Sequence, residues 1–104
     1  MAKETMVEHK HEKGSLAVFP EVKQKLARRM RTVVGHTQGI ERMIAEERYC
    51  VEILKQIAAV QGQLSYISHE LIKAHMKSCV SDAIQAGQGD EVIDELSEIL
   101  KYLR

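Results

Sequence analysis

From Tyr49 to Gly87 the chain reads "YCVEILKQIAAVQGQLSYISHELIKAHMKSCVSDAIQAG", almost forty residues without a proline and with Gly62 as the one weak point inside. Ile53, Leu54, Ile57, Ala58, Val60, Leu64, Ile67, Leu71 and Ile72 recur at helical spacing and draw a wide apolar stripe. The pattern predicts a single very long helix. In a chain of 104 residues with one Phe, three Tyr and no Trp, much of that helix has nothing of its own chain to cover it. Pairing with a second copy in a four-helix bundle is the natural remedy.

The flanking segments are helical too. "FPEVKQKLARRMRTVVGHTQGIERMIAEE" carries Val22, Leu26, Met30, Val33, Ile40, Met43 and Ile44 at helical spacing, with Pro20 in a first turn and Glu21 suited to a helix start. Gly35 and Gly39 weaken its middle, where another helix could pack closely. "GQGD" stops the long helix: Gly87 and Gly89 supply cap and turn conformations, and Asp90 is expected to cap the last helix. That helix, "EVIDELSEILKYLR", is short and amphipathic. The fold class is all-α, a three-helix protomer with a very long central helix, expected to pair with a second copy in a four-helix bundle. Residues 1–18 are polar and read as a flexible tail, leaving 19–104 as one helical domain.

No run of about 18 apolar residues is present, so no membrane span is expected. The start, Met1-Ala2-Lys3-Glu4-Thr5, has no apolar signal core, which points to the cytoplasm. Cysteines there are normally reduced, which favours metal or redox chemistry over a structural disulfide.

His75 and Cys79 stand at i and i+4 in "HMKSC", one turn apart on one face. Such a pair suits two ligands of one ion, and it also arises by chance on helices. The other cysteine, Cys50, lies 25 residues before His75. On a continuous helix that is roughly 37 Å, too far for one chain to close. Two long helices packed antiparallel would bring Cys50 of one chain to His75 and Cys79 of the other, giving two equivalent sites per dimer. A fold-back at Gly62 is the rival geometry. Two thiolates and an imidazole are a soft set that favours Cu(I), whereas structural zinc normally takes four ligands. Nickel would need further donors, such as His9 and His11 of the tail, which otherwise read as solvated. His36 and His69 have no cysteine at ligand spacing and read as structural or surface residues.

Lys23, Lys25, Arg28, Arg29 and Arg31 place five cations in nine residues with no acid between them, although the formal net charge is zero. With Arg42 they form a candidate DNA-contacting face; the bland reading is a solvated helix surface. Neither a recognition-helix pattern nor zinc-finger spacing is present. Nor is there an acid–base pair, nucleophile motif or phosphate loop, so an enzyme is not expected.

"GIERMIAEERYCVEILKQIAAVQ" followed by "HMKSCVSDAI" resembles the CsoR/RcnR family of small bacterial metal- and sulfur-responsive transcriptional repressors, over about Leu26 to Leu103. Cys50, His75 and Cys79 fall where its copper-sensing branch carries Cys, His and Cys ligands. The resemblance implies an antiparallel four-helix-bundle dimer with intersubunit Cu(I) sites, a dimer-of-dimers homotetramer, operator DNA held in the metal-free form, and release on Cu(I) binding. It further implies supporting roles for Tyr49 and, by position, Glu95. Two departures stand out: Gln38 replaces a usual arginine, and Ser65 and Tyr66 stand where relatives often have a basic residue. A persulfide sensor, a Ni(II)/Co(II) sensor and a copper-buffering bundle without DNA binding are the competing readings.

Overall fold

The computed structural model describes residues 16–102, for residues 79–81 the backbone alone. Helix α1 spans Pro20–Ala45. Pro20 occupies the first turn, where its missing N–H is no loss, and Glu21 faces the positive end of the helix dipole. Helix α2 spans Cys50–His75 and continues without a break through a π-helical turn, Met76–Val80, into α3, Ser81–Gln85. Helix α4 spans Gly89–Leu100. Counting the α2–π–α3 rod once, the protomer is three helices with a long central one, and no strand occurs among the described residues. The rod passes straight through Gly62, so the fold-back at that residue does not occur. At about 1.5 Å per residue its length accounts for the 55 Å long axis of the molecule.

α1 and α2 form an antiparallel hairpin. Leu26, Val33 and Ile40, seven residues apart, are the buried positions of α1; Ile67 and Ala74, also seven apart, are those of α2. This repeat keeps one seam of each helix against the other. Leu26, Val33 and Ile67 pack together, with Leu16, Val22, Val60 and Tyr66 against them. Polar cross-links fix the direction: Lys25 reaches Glu70, and further along α1 His36 reaches back to Gln56.

Leu16–Val18, at the end of the segment read from sequence as a tail, form a 3-10 turn, and Leu16 packs on the core. His9 and His11 lie outside the described residues. Asp90 is displaced from its expected role: α4 begins at Gly89 with Gln88 as cap, and Asp90 sits inside the first turn.

Two helices end in the same way with different residues. After α3, the N–H groups of Gly87 and Gln88 bond the carbonyls of Ile84 and Ala83, and Gly87 adopts φ +81°. After α1, Glu47 and Arg48 bond Ile44 and Met43 in the same pattern, but the left-handed residue is Glu47, φ +59°. A side chain in that conformation costs about 1 kcal/mol that glycine avoids. Glu47→Gly is therefore expected to raise stability by about 1 kcal/mol, seen as a higher urea midpoint with an unchanged slope.

Candidate metal centre and nucleic-acid interface

Cys50 is the first residue of α2 and carries an exposed, free thiol. Tyr49 precedes it and is 70% exposed. His75 is the last residue of α2, half-buried, and Cys79 follows one turn later within the π-helical turn. An i→i+5 ladder widens the turn slightly, so a four-residue step still lands close to one full turn. Twenty-five residues of α-helix are almost seven full turns, which puts Cys50 and His75 on the same side of α2 but about 37 Å apart. Among the described residues no three of His, Cys, Asp and Glu come together at one point. Cys50 and His75 thus stand apart on one helix side, with the backbone of Cys79 four residues past His75.

The His75 end is tied to α4. Its Nε2 lies 3.3 Å from Glu95 Oε1, a contact spanning twenty residues of sequence. In the tautomer that carries its hydrogen on Nε2, the ring donates to this oxygen and leaves the Nδ1 lone pair open. Sequence periodicity alone does not find this contact, because the turn at Gly87 intervenes.

α1 carries the cations. Arg29 stacks on Tyr66 with its guanidinium carbon 4.2 Å from the ring centre, and Lys25 Nζ is 5.7 Å from the same ring. Lys25 also bonds Glu70 at 3.1 Å, and Lys73 reaches the other oxygen of Glu70 at 3.3 Å. Lys23, Arg28 and Arg31 line an open hollow of about 230 Å³ with Gln24 and Ala27, and no acid of the described residues is bonded to them. Arg42 sits in the last turn of α1, near Gly39. Sequence reading missed Tyr66 and Glu70 as partners of this cluster. The available signal was the i, i+4 spacing of Lys25 and Arg29 beside Leu26, which turns both toward whatever α1 packs against.

Lys25 and then Lys73 hold the Glu70 carboxyl below the usual carboxylate range. Tyr66 and then Glu70 hold the Lys25 ammonium above its usual value. A lowered acid contributes stability that is full above its unfolded value, about 4.3, and lost as pH falls through the folded value. A raised lysine contributes stability that is full below about 10.4 and lost as pH rises through the folded value. Glu70→Gln should therefore flatten the acid-side loss of stability below about pH 5, read from thermal unfolding at successive pH values.

His36 is a structural residue, bonded through Nε2 to Gln56 at 2.7 Å, and His69 is exposed. No described helix is long and apolar enough to cross a membrane.

Comparison with known proteins adds the following. The family model for metal-sensitive transcriptional repressors matches residues 22–102. The copper-sensing transcriptional repressor CsoR of Bacillus subtilis is 38% identical over 79 residues, 76% of this chain and 78% of that protein. CsoR of Mycobacterium tuberculosis H37Rv is 38% identical over 80 residues, 77% of this chain and 67% of that protein. Among solved structures, the copper-sensing repressor CsoR with Cu(I) from Geobacillus thermodenitrificans superposes with a TM-score of 0.71 at 32% identity, covering 75% of this chain and 81% of that one.

Proposed function

The chain belongs to the family of metal-sensitive transcriptional repressors, and on that footing we propose that it is a Cu(I)-responsive repressor. It holds operator DNA in the metal-free form and releases it when Cu(I) occupies Cys50, His75 and Cys79. The carrying observation is the placement of the donors: an exposed thiol opens α2, His75 ends it on the same side, and Cys79 follows four residues later in the helical rod. A second, antiparallel copy brings Cys50 of one protomer to His75 and Cys79 of the other, so each two-fold dimer holds two sites. Dimers pair further into a homotetramer acting in the cytoplasm.

The residues fit the ion. Two thiolates and an imidazole are soft donors, three in number, and the Nδ1 left open by the Glu95 contact is the nitrogen available to a metal. Cys50, His75 and Cys79 would hold Cu(I), which when bound would supply a soft Lewis acid. Glu95 fixes the tautomer and ring direction of His75, and through it any turn of that ring is transmitted to α4. Tyr49, beside Cys50 and largely exposed in the lone protomer, has its hydroxyl free for the neighbour's side of the site. The DNA-binding surface is built on the basic stretch of α1, which comprises Lys23, Lys25, Arg28, Arg29, Arg31 and Arg42, some of them contacting DNA and others shaping the surface. A coupling of about 1–3 kcal/mol per linked site is typical, and several sites sum to release.

The test is a Cu(I) titration of the reduced protein against a competing chelator. The anisotropy of a labelled duplex from the region upstream of its own coding sequence is followed in parallel. One Cu(I) per chain with loss of the duplex is expected, and His75→Ala should stay on the DNA. Tight copper binding without any DNA binding would make the protein a buffer instead. Release by polysulfide and not by copper would make it a sulfur sensor.

A further inference from the structure

The cations of α1 do not stand in one environment. At about 100° per residue, Lys25 and Arg29 fall beside the buried line of Leu26 and Val33, on the flank that meets α2. Arg28 and Arg31 fall on the half turned away from that line, with Lys23 at its edge. The contacts follow this division. Glu70 and the Tyr66 ring, both on α2, engage Lys25, and the Tyr66 ring takes the face of the Arg29 guanidinium. Lys23, Arg28 and Arg31 instead border a common hollow floored by Ala27, with no carboxylate of the described residues bonded to them.

A cation already paired to a carboxylate releases few counterions when a phosphate approaches, because its charge is largely compensated. A guanidinium flat against a ring keeps its edge but is fixed in place. An unpaired cation beside an open hollow gives its full charge to a phosphate. We infer that Lys23, Arg28 and Arg31 make the direct ionic contacts to DNA phosphates, whereas Lys25 and Arg29 are positioning residues that clamp α1 to α2 through Glu70 and Tyr66. This rests on the DNA-binding reading above and deepens it: of the basic cluster, one row touches the nucleic acid and the other sets how that row is presented.

The two roles separate in the salt dependence of binding. The slope of log affinity against log salt counts neutralised phosphates, at about 0.9 per contact. Affinity of the full-length, metal-free protein for the upstream duplex is measured across a salt series, beside a scrambled duplex of equal length. Arg28→Ala and Arg31→Ala should each lower the slope by about 0.9 for every protomer in contact, equally on both duplexes. Lys25→Ala, Arg29→Ala and Tyr66→Ala should leave the slope unchanged while lowering the urea midpoint, and Tyr66→Phe, which keeps the ring, should restore it. The Arg28 and Arg31 variants should keep the wild-type midpoint.

A slope lowered by Lys25→Ala or Arg29→Ala as much as by Arg28→Ala overturns the division. So does an unchanged slope for both Arg28→Ala and Arg31→Ala. Unchanged midpoints for Lys25→Ala, Arg29→Ala and Tyr66→Ala together overturn the clamp. A wild-type protein that binds neither duplex removes the repressor reading itself, an outcome distinct from these because the midpoints still report on the clamp.

Discussion

A one-to-one mixture of Cys50→Ser and Cys79→Ser proteins, each deficient in Cu(I) binding alone, will recover roughly a quarter of the wild-type sites. The arithmetic comes from the helix. Cys50 and the His75–Cys79 pair sit at opposite ends of an unbroken α2 rod, about 37 Å apart, so no site is completed within a chain. In an antiparallel pair each site takes Cys50 from one protomer and His75 and Cys79 from the other. A homodimer of either variant therefore has two damaged sites. A mixed dimer has one doubly damaged site and one intact site. Random pairing makes about half of the dimers mixed, and each regains one of its two sites. Losing one of three thiolate or imidazole donors costs more than losing an outer partner, for which about 10–100-fold in affinity is typical. The recovered fraction will stand out in a Cu(I) titration against a competing chelator, using co-expressed or co-refolded chains. Each variant alone should remain on DNA when copper is added. If the mixture recovers nothing, the donors do not meet across the subunits.

The length of α2 was legible because apolar spacing without proline admits little else, and from that length came the separation of Cys50 from His75. The antiparallel hairpin was legible in part: the heptad-spaced Leu26, Val33 and Ile40 mark the seam of α1, but nothing in the sequence gives the register against Ile67 and Ala74. Cross-links such as Lys25 with Glu70 span 45 residues and appear only after folding. The π-helical turn at Met76–Val80 was not legible, since the stretch of rod after it, Ser81–Gln85, is too short to show a shift in the apolar phase. Glu47 misled for a related reason: a left-handed helix end is read from glycine or asparagine, and here a glutamate takes it under tertiary constraint. Family resemblance implied only a supporting role for Glu95, and its contact with His75 appears in the folded chain.

Leu54→Glu will dissociate the assembly and abolish copper sites without altering a ligand. Leu54 lies one turn beyond Cys50 on the same side of α2 and is 61% exposed in the protomer. Val51, Leu64, Leu71, Met76 and Ile84 are further large apolar side chains left in the open along the same rod. Against this, the described residues bury only Leu26, Val33, Ile40, Ile67, Ala74 and Val92, and none of those is a fully enclosed large side chain. A protomer with so thin a core among its described residues leaves that apolar edge in water, and the proposed association would cover it. The wild-type thermal midpoint should accordingly rise with protein concentration. A carboxylate at Leu54 has to be desolvated at the interface with no partner, a cost of several kcal/mol per ion. Gel filtration with light scattering should show loss of the assembled mass. Circular dichroism should show reduced helix at low concentration, and Cu(I) stoichiometry should fall together with the mass. Leu54→Met, which keeps volume and polarity, should behave as wild type within about 1.5 kcal/mol. A Leu54→Glu protein that keeps both its mass and its copper sites would show that this side of α2 is not the surface on which the second copy completes the metal centre.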